Sequence, residues 1–169
     1  AMSYAQKLFE GLDLDGKHVA LITYIRTDSP EFAPEFLPIL EEYVKSQYGK
    51  KYYAPIRKVK KGDNVQDGHE AIRPVDLSMT PEWLANFIDD NNLIRVYDII
   101  YKRTVASAMA SSITSETTYT IKNDKHLFNL VSKELKFDGY RKAYGSFEEK
   151  DEEVTSETFN VGEVLNHKN

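Results

Sequence analysis

The chain has 169 residues, a length that suits one or two small domains and allows a real hydrophobic core. Apolar residues make up 41% and charged residues 29%, as in an ordinary globular protein, and the absence of cysteine excludes disulfides and thiolate metal sites and fits a reducing cytoplasm. We expect no membrane span and no signal peptide, and the net charge of −5 means that any nucleic-acid surface must be local.

The N-terminal part predicts a helix followed by a turn. Apolar residues at helical spacing indicate a helix over Ser3–Glu10. The Asp-Gly pair at positions 15–16 then marks a turn. Asp13 and Asp15 could be read as a magnesium-binding pair, but a solvated turn is the better interpretation because no third carboxylate stands nearby.

The next stretch predicts a short buried strand that runs into a helix start. Val19 to Ile25 is rich in β-branched and aromatic residues, which favours a strand. Ser29 resembles a helix N-cap with Pro30 at the first helical position. Because free backbone N–H groups lie at such a helix start, we expect an anion to bind there.

Tyr24 and Arg26 are the candidate chemical groups of this strand. A tyrosine hydroxyl is a weak nucleophile at neutral pH because it is almost wholly protonated. A guanidinium two residues along a strand lies on the same face and can hold a phosphate oxygen. Tyr24 as nucleophile and Arg26 as phosphate clamp is therefore one interpretation, and a core tyrosine followed by a solvated arginine is the other.

Residues 34–61 predict a helix and a basic stretch. The helix should run from Pro34 to Tyr48 and be closed by Gly49, with Pro38 kinking or delaying its first turn. Its expected inward stripe is Phe36, Leu40, Tyr43, Val44 and Gln47.

A basic stretch, defined as residues 45–61, contains no acidic residue. Tyrosines lie among its cations, a combination that suits single-stranded DNA, since cations neutralise phosphates and aromatic faces stack on bases. A solvated basic loop is the alternative. The seven basic residues are Lys45, Lys50, Lys51, Arg57, Lys58, Lys60 and Lys61.

The segment Asn64–Pro74 reads as a polar loop that turns into an apolar pair. Within it, His69 could donate to a phosphate or move a proton, since imidazole exchanges protons near neutral pH. A lone histidine is, however, more often structural. We expect Arg73 to anchor this loop rather than to touch a reacting phosphate.

The C-terminal part changes from helical to β pattern. Thr80-Pro81-Glu82 marks a helix start, with Trp83, Leu84, Phe87 and Ile88 as its buried face. A longer helix should run from about Leu93 to Met109, with Leu93, Val96, Tyr97, Ile100 and Thr104 facing inward. After Ala110, alternating stretches predict antiparallel strands over 117–122, 126–131, 135–144 and 154–159, with turns at Asn123-Asp124 and Asp138-Gly139. The expected fold class is α+β, with a mainly helical domain over 1–110 and a β-rich part over 111–169.

Three colinear motifs carry a family resemblance. Ile22-Thr23-Tyr24-Ile25-Arg26-Thr27-Asp28-Ser29 resembles the active-site tyrosine motif of type IA DNA topoisomerases. The segments 64–74 and 97–109 match the same family in the expected order. The Arg73-Pro74 ending of the second segment is more similar to bacterial topoisomerase I than to topoisomerase III.

The resemblance implies a site and a domain arrangement. Tyr24 would be the nucleophile, Arg26 would hold the phosphate, and His69 would assist cleavage. Residues 1–110 resemble the tyrosine-bearing gate domain, and 111–169 resemble part of the β-rich domain of a toroidal arch. The implied partners are single-stranded DNA and the remaining domains of the same polypeptide. The implied cofactor is Mg²⁺, bound by a nucleotidyl-transfer domain that these 169 residues do not include.

Two other classes of function stay open from the sequence. The chain could be a non-catalytic module that binds single-stranded DNA through the basic stretch, in particular Lys50, Lys51, Arg57 and Lys58, together with Arg26. It could also be a purely structural piece of the gate. Covalent attachment to DNA through Tyr24 separates catalysis from both alternatives.

Overall fold

The computed structural model describes residues 1–56, 69–145 and 158–164, and these form an α+β fold. The helices are α1 (Met2–Glu10), α2 (Phe36–Gln47), α3 (Pro81–Leu84), α4 (Asn91–Ser107) and α5 (Arg141–Tyr144), with a 3₁₀ turn at Lys50–Tyr52. The strands are β1 (Leu12–Leu14), β2 (Lys17–Val19), β3 (Ile113–Asn123) and β4 (His126–Phe137). The predicted fold class is confirmed. Among the described residues, no helix is long and apolar enough to cross a membrane.

The predicted first helix and turn are confirmed. Strands β1 and β2 pair antiparallel and are joined at Asp15 and Gly16, whose φ angles of 50° and 76° suit the tight turn of a hairpin. Leu8 of α1 and Leu14 of β1 are buried in the same core, so the hairpin packs beside the helix. The interpretation of Asp13 and Asp15 as a turn holds, because both side chains are exposed on this hairpin.

His18 fastens the hairpin to the end of α1. Its Nδ1 lies 2.9 Å from Asp13 Oδ1, and its Nε2 lies 2.9 Å from the carbonyl oxygen of Glu10. Both neighbours are acceptors, so only the imidazolium, which carries two N–H groups, can donate to both. The hydrogen bond to Asp13 and then that to Glu10 raise the pKa of His18 above its ordinary value.

We therefore expect this fastening to weaken as pH rises. Folding favours the protonated form of His18, so its stabilising effect is complete below about pH 6.5, where the unfolded chain is also protonated. The effect is lost as pH rises through the raised pKa of the folded state. A nuclear magnetic resonance titration of the His18 ring measures that pKa. Asp13→Asn should lower it toward the ordinary value, and an unchanged titration would show that the contact to Asp13 does not hold the proton.

No strand forms over the predicted Val19–Ile25. Strand β2 ends at Val19, and only an isolated antiparallel bridge between Ile22 and Pro74 continues the extended chain. The N–H groups that would complete the neighbouring pairs bond elsewhere, since that of Leu21 donates to the Leu8 carbonyl and that of Arg73 donates to the Thr23 hydroxyl. Leu21 and Ile22 are nevertheless 0% and 1% exposed, as the apolar pattern predicted.

Helix α2 begins later than predicted. Ser29 and Pro30 do not start a helix, and the first helical residue is Phe36. Pro38 sits in the first turn of α2, where its missing N–H group has no helical acceptor in any case. The inward stripe is confirmed for the buried Phe36, Leu40 and Val44 and for the half-buried Tyr43, but Gln47 is exposed. Gly49, with a φ of 98°, follows the helix end as expected.

Helices α3 and α4 follow their capping signals. The hydroxyl of Thr80 accepts from the Trp83 backbone N–H at 3.1 Å, and the Asp90 carboxylate accepts from two backbone N–H groups at the start of α4. Helix α3 ends at Leu84, so Phe87 lies beyond it and is 42% exposed rather than buried. The predicted inward residues of α4 are buried or half-buried, and the Tyr97 hydroxyl donates to the Met79 carbonyl at 2.6 Å.

The described residues after position 110 form a long β-hairpin and a short helix. Strands β3 and β4 pair antiparallel and are joined at Asp124, as predicted, but β4 continues to Phe137 without a break. The predicted strand over 135–144 is wrong beyond that point, because residues 141–144 form α5. Gly139, with a φ of 54°, lies between the two, and a Cβ there would come within 2.5 Å of the Ala110 carbonyl oxygen. Of the predicted strand over 154–159, residues 154–157 lie outside the described residues, and Thr158 and Phe159 are not in a strand.

Residues on both sides of position 110 pack together. The Tyr52 hydroxyl donates to Asp138 Oδ1 at 2.8 Å, and the Tyr52 ring lies 4.9 Å from that of Phe137. The Tyr140 N–H donates to the Ala110 carbonyl at 2.8 Å. The division into 1–110 and 111–169 stays a prediction, and these contacts describe how the two parts meet.

Candidate active site

Tyr24 lies at the end of an extended segment that is held from two sides. The Leu21 N–H donates to the Leu8 carbonyl of α1 at 2.9 Å, and the Val75 N–H donates to the Leu21 carbonyl at 3.0 Å. The Thr23 N–H donates to the Arg73 carbonyl at 3.0 Å. Since Leu21 is wholly buried while the Tyr24 side chain is 36% exposed, the backbone is anchored and the tyrosine reaches the surface.

The ring of Tyr24 lies between two aromatic side chains. Its centroid is 5.4 Å from that of Phe9 on α1, in an edge-on arrangement, and 4.8 Å from that of His69, with the ring planes tilted by 41°. Aromatic contacts of this kind fix the ring without using the hydroxyl. Among the described residues, none is hydrogen-bonded to the Tyr24 hydroxyl, so it is open to a substrate. Phe9 was not predicted from the sequence, where it is an ordinary helix-face residue.

His69 is exposed and stands beside Tyr24, although 45 positions separate the two in the chain. The structure therefore brings together the two residues that the family resemblance paired. Their contact is between rings tilted by 41°. Among the described residues, none is hydrogen-bonded to the imidazole nitrogens of His69.

Thr23 joins the tyrosine segment to the segment that carries His69. Its hydroxyl donates to the Ala71 carbonyl and accepts from the Arg73 N–H, both at 3.0 Å. The position of Tyr24 relative to residues 69–75 is thus set by three hydrogen bonds to its neighbour, counting the backbone one. No signal in the sequence singled out Thr23, because its partners are 48 and 50 positions away.

Arg73 anchors this segment, in agreement with the prediction. Its guanidinium donates to both carboxylate oxygens of Glu70, at 2.7 and 2.9 Å, and to the Pro74 carbonyl at 2.9 Å. It also lies 3.9 Å from the ring centroid of Phe36 at the start of α2. A cation held on every side in this way is not available to a DNA phosphate.

Arg26 is exposed in a bend directly after Ile25. The chain bends where the strand was expected to continue, so the argument that strand alternation places Tyr24 and Arg26 on one face does not hold. No helix starts at Ser29 and Pro30, so the anion site that was expected at a helix N-terminus there does not form. Arg26 has no hydrogen-bond partner among the described residues and lies two positions after Tyr24 in the chain.

The basic stretch is only partly a free cationic surface. Lys50 and Lys51 are exposed in the 3₁₀ turn, as a DNA contact requires. Lys45 is paired with Glu41 of the preceding helical turn. Of the three tyrosines in the stretch, Tyr52 is only 5% exposed and so cannot stack on a base, whereas Tyr48 and Tyr53 are half-buried. Arg57, Lys58, Lys60 and Lys61 lie outside the described residues.

Within residues 1–56, 69–145 and 158–164, no group of three or more histidine or acidic side chains could hold a metal ion. The donor set of this part of the chain therefore does not fit the Mg²⁺ that the resemblance implies. Asp28, the acidic residue of the tyrosine motif, is exposed and has no carboxylate cluster around it there.

Comparison with known proteins identifies the family of this chain. The family model described as DNA topoisomerase matches residues 1–169, and the chain belongs to that family. Its curated relatives include DNA topoisomerase 1 of Mycoplasma pneumoniae, 43% identical over 151 residues that cover 87% of this chain. DNA topoisomerase 1 of Campylobacter jejuni is 35% identical over 170 residues and covers 99% of this chain.

A solved structure agrees with the sequence relatives. Full-length topoisomerase I of Thermotoga maritima matches 93% of this chain with a TM-score of 0.75 and 30% sequence identity. The chain spans only 24% of that structure, and 21% and 24% of the Mycoplasma and Campylobacter proteins. It therefore corresponds to about a quarter or less of each of these relatives.

Proposed function

We propose that this chain is the tyrosine-bearing part of a longer bacterial type IA topoisomerase that relaxes negatively supercoiled DNA in the cytoplasm. The observation that carries the proposal is the Tyr24 side chain. It is 36% exposed, lies against His69, and is fixed by an anchored backbone within the family's tyrosine motif. A surface tyrosine that is held this firmly, and whose hydroxyl is hydrogen-bonded to none of the described residues, suits a nucleophile.

In the proposed reaction the Tyr24 oxygen attacks a backbone phosphorus of single-stranded DNA. A bond forms between that oxygen and phosphorus, the bond from phosphorus to the 3′ oxygen breaks, and the 3′ hydroxyl leaves with a proton. The product is a 5′-phosphotyrosyl link. Another strand passes through the gap before the 3′ hydroxyl attacks in reverse. Because one phosphoester bond replaces another, resealing needs no ATP.

Arg26 and His69 have supporting roles in this proposal. The guanidinium of Arg26 stabilises the charge that develops on the phosphate oxygens during attack. The imidazole of His69, beside the Tyr24 ring, binds the same phosphate or transfers a proton. Lys50 and Lys51, and with them Arg57 and Lys58, hold the strand through its phosphates.

In this proposal the longer enzyme contributes further strands of the arch domain and the domain that binds Mg²⁺. Residues 1–110 are the proposed gate domain, and 111–169 are part of the arch domain. The hairpin of β3 and β4 supports this view, since Leu127, Phe128 and Leu135 are 67%, 56% and 47% exposed on it. A two-stranded hairpin is only marginally stable by itself, so further strands of the same polypeptide are its proposed partner. The Mg²⁺ site belongs to the nucleotidyl-transfer domain.

Trapping of a covalent complex tests the proposal. The full-length enzyme is incubated with a single-stranded oligonucleotide and Mg²⁺, and the reaction is stopped with denaturant. We expect the label of a 3′-end-labelled strand to move with the protein, because the 5′ phosphate at the break is the attached end. Salt-dependent binding without any adduct would instead favour a non-catalytic DNA-binding module.

Residues 1–169 alone should not cleave DNA. A tyrosine hydroxyl is a weak nucleophile unless a base or a metal ion activates it, and the described part of the chain offers no cluster of carboxylates for a metal ion. The net charge of −5 should also keep binding weak at about 0.2 M salt. The same oligonucleotide assay, with the full-length enzyme as the positive control, measures both. Cleavage by residues 1–169 would place the acid–base machinery within them.

A further inference from the structure

Glu70, the residue after His69, uses both of its carboxylate oxygens. Oε1 accepts from Arg73 Nη2 at 2.9 Å, while Oε2 accepts from Arg73 Nε at 2.7 Å and from the Ala33 backbone N–H at 2.9 Å. The two side chains are 26% and 11% exposed. A two-pronged pair of a carboxylate and a guanidinium is among the stronger charge-assisted contacts in proteins.

This carboxylate connects two segments that converge on Tyr24. Ala33 belongs to the loop that follows the tyrosine motif, whereas Glu70 and Arg73 flank the turn after His69. A second link runs beside it, where the Ala71 N–H donates to the Glu31 carbonyl at 2.7 Å. The loop on the C-terminal side of Tyr24 and the His69 segment are thus fastened to each other through Glu70.

Glu70 also neutralises the positive charge of Arg73. Arg73 stands four residues from His69, and its guanidinium contacts the Phe36 ring and the Pro74 carbonyl as well as Glu70. With Glu70 in place, the cation is neutralised and held against the protein. Without that carboxylate, Arg73 would be a nearly buried, unpaired cation, which is costly unless it turns toward another anion. A DNA phosphate near His69 is such an anion.

We propose that Glu70 is a positioning residue for the strand cleavage described above, on which this inference rests. It holds the loop after Tyr24 against the His69 segment, and it keeps the Arg73 cation from a competing contact with a DNA phosphate. The two roles predict different effects. If the loop after Tyr24 is no longer held, cleavage should slow, and if Arg73 is no longer neutralised, it should make an additional, non-productive contact with a DNA phosphate.

The test uses Glu70→Gln in the full-length enzyme. Glutamine has a similar size and keeps one acceptor for the Ala33 N–H, but it loses the charge that pairs with Arg73. We expect the rate constant for adduct formation to fall about 10- to 100-fold, since small misplacements of reacting groups have effects of that order. Binding of single-stranded DNA should not weaken, and the slope of log K against log salt should become steeper by about 0.9.

Asp98→Asn is the matched control. Asp98 pairs with Lys102 on α4 at 2.9 Å, and its side chain is 12% exposed against 26% for Glu70, so its replacement should lower stability at least as much. This variant also removes one carboxylate from a half-buried ion pair. A general loss of stability would therefore appear in both variants, whereas the changed salt slope should appear only in Glu70→Gln.

A double variant separates the two roles. Adding Arg73→Gln to Glu70→Gln removes the unpaired cation, so the salt slope should return to the wild-type value while cleavage stays slow. A Glu70→Gln enzyme with the rate and salt slope of Asp98→Asn would overturn the proposal. Failure of the proposed function is distinguishable, because the wild-type enzyme would then form no adduct at all.

Discussion

Replacing Tyr24 by phenylalanine in the full-length enzyme is expected to abolish covalent attachment to DNA and to leave the fold intact. The substitution removes the attacking oxygen. It keeps the ring, whose contacts at 5.4 Å with Phe9 and 4.8 Å with His69 are between aromatic faces and edges. No hydrogen bond of the hydroxyl to another described residue is lost, so the free energy of unfolding should change by less than about 0.5 kcal/mol.

The adduct assay with a 3′-end-labelled strand measures this effect, and thermal unfolding checks the fold. Tyr140→Phe is the matched control, since Tyr140 is 38% exposed and Tyr24 is 36% exposed. Loss of one exposed tyrosine hydroxyl is then common to both variants, while loss of cleavage should be confined to Tyr24. Any labelled adduct that persists in Tyr24→Phe would assign the nucleophile to another residue.

The elements that the sequence predicted correctly are those with local signals. Thr80 with Pro81 marked the start of α3, and the Asp15-Gly16 pair marked the turn of the first hairpin. The apolar spacing in α4 identified its buried face. In each case the residues that decide the structure are within a few positions of one another, so the pattern is visible in the sequence.

The wrong secondary-structure predictions concern segments whose structure depends on contacts with residues far away in the chain. A strand over 19–25 needs a neighbour, and the pairing there is limited to one bridge between Ile22 and Pro74. The backbone N–H groups on either side of this bridge bond elsewhere, that of Leu21 to the Leu8 carbonyl and that of Arg73 to the Thr23 hydroxyl. Residues 141–144 follow β4 but turn into a helix that packs against α4, with Gly139 allowing the close approach to Ala110. The Asp138-Gly139 turn was visible in the local residue pattern, but the distant partners of these segments were not.

The candidate site likewise contains residues that local motifs indicated and residues whose role depends on distant contacts. Tyr24, Arg26 and His69 came from motifs that resemble a family, and the structure places Tyr24 beside His69. The side chains that hold this pair in place, Phe9, Thr23 and Glu70, act across up to 50 positions and were not predicted. The sequence therefore indicated the candidate groups, and the structure adds how Tyr24 and His69 are positioned.

The second large effect is expected from Arg26. If its guanidinium stabilises the phosphate in the transition state, Arg26→Ala should reduce the cleavage rate by about 10²- to 10³-fold, the usual effect of removing one such donor. Arg26→Lys keeps the charge but loses the planar two-pronged contact, so its rate should fall between those of wild type and alanine. Stability should be unaffected, because Arg26 is exposed and has no partner among the described residues.

Single-turnover cleavage, with DNA binding measured in parallel, tests the role of Arg26. A contact made mainly in the transition state lowers the rate more than the affinity, whereas an ordinary phosphate contact lowers affinity and reduces the salt slope by about one. Arg95→Lys, at an exposed arginine on α4 outside the tyrosine motif, is the control for a simple exchange of surface cations. Wild-type cleavage by both Arg26 variants would make Arg26 a solvated residue after the bend. His69 would then be the group in contact with Tyr24 that is left to bind the reacting phosphate.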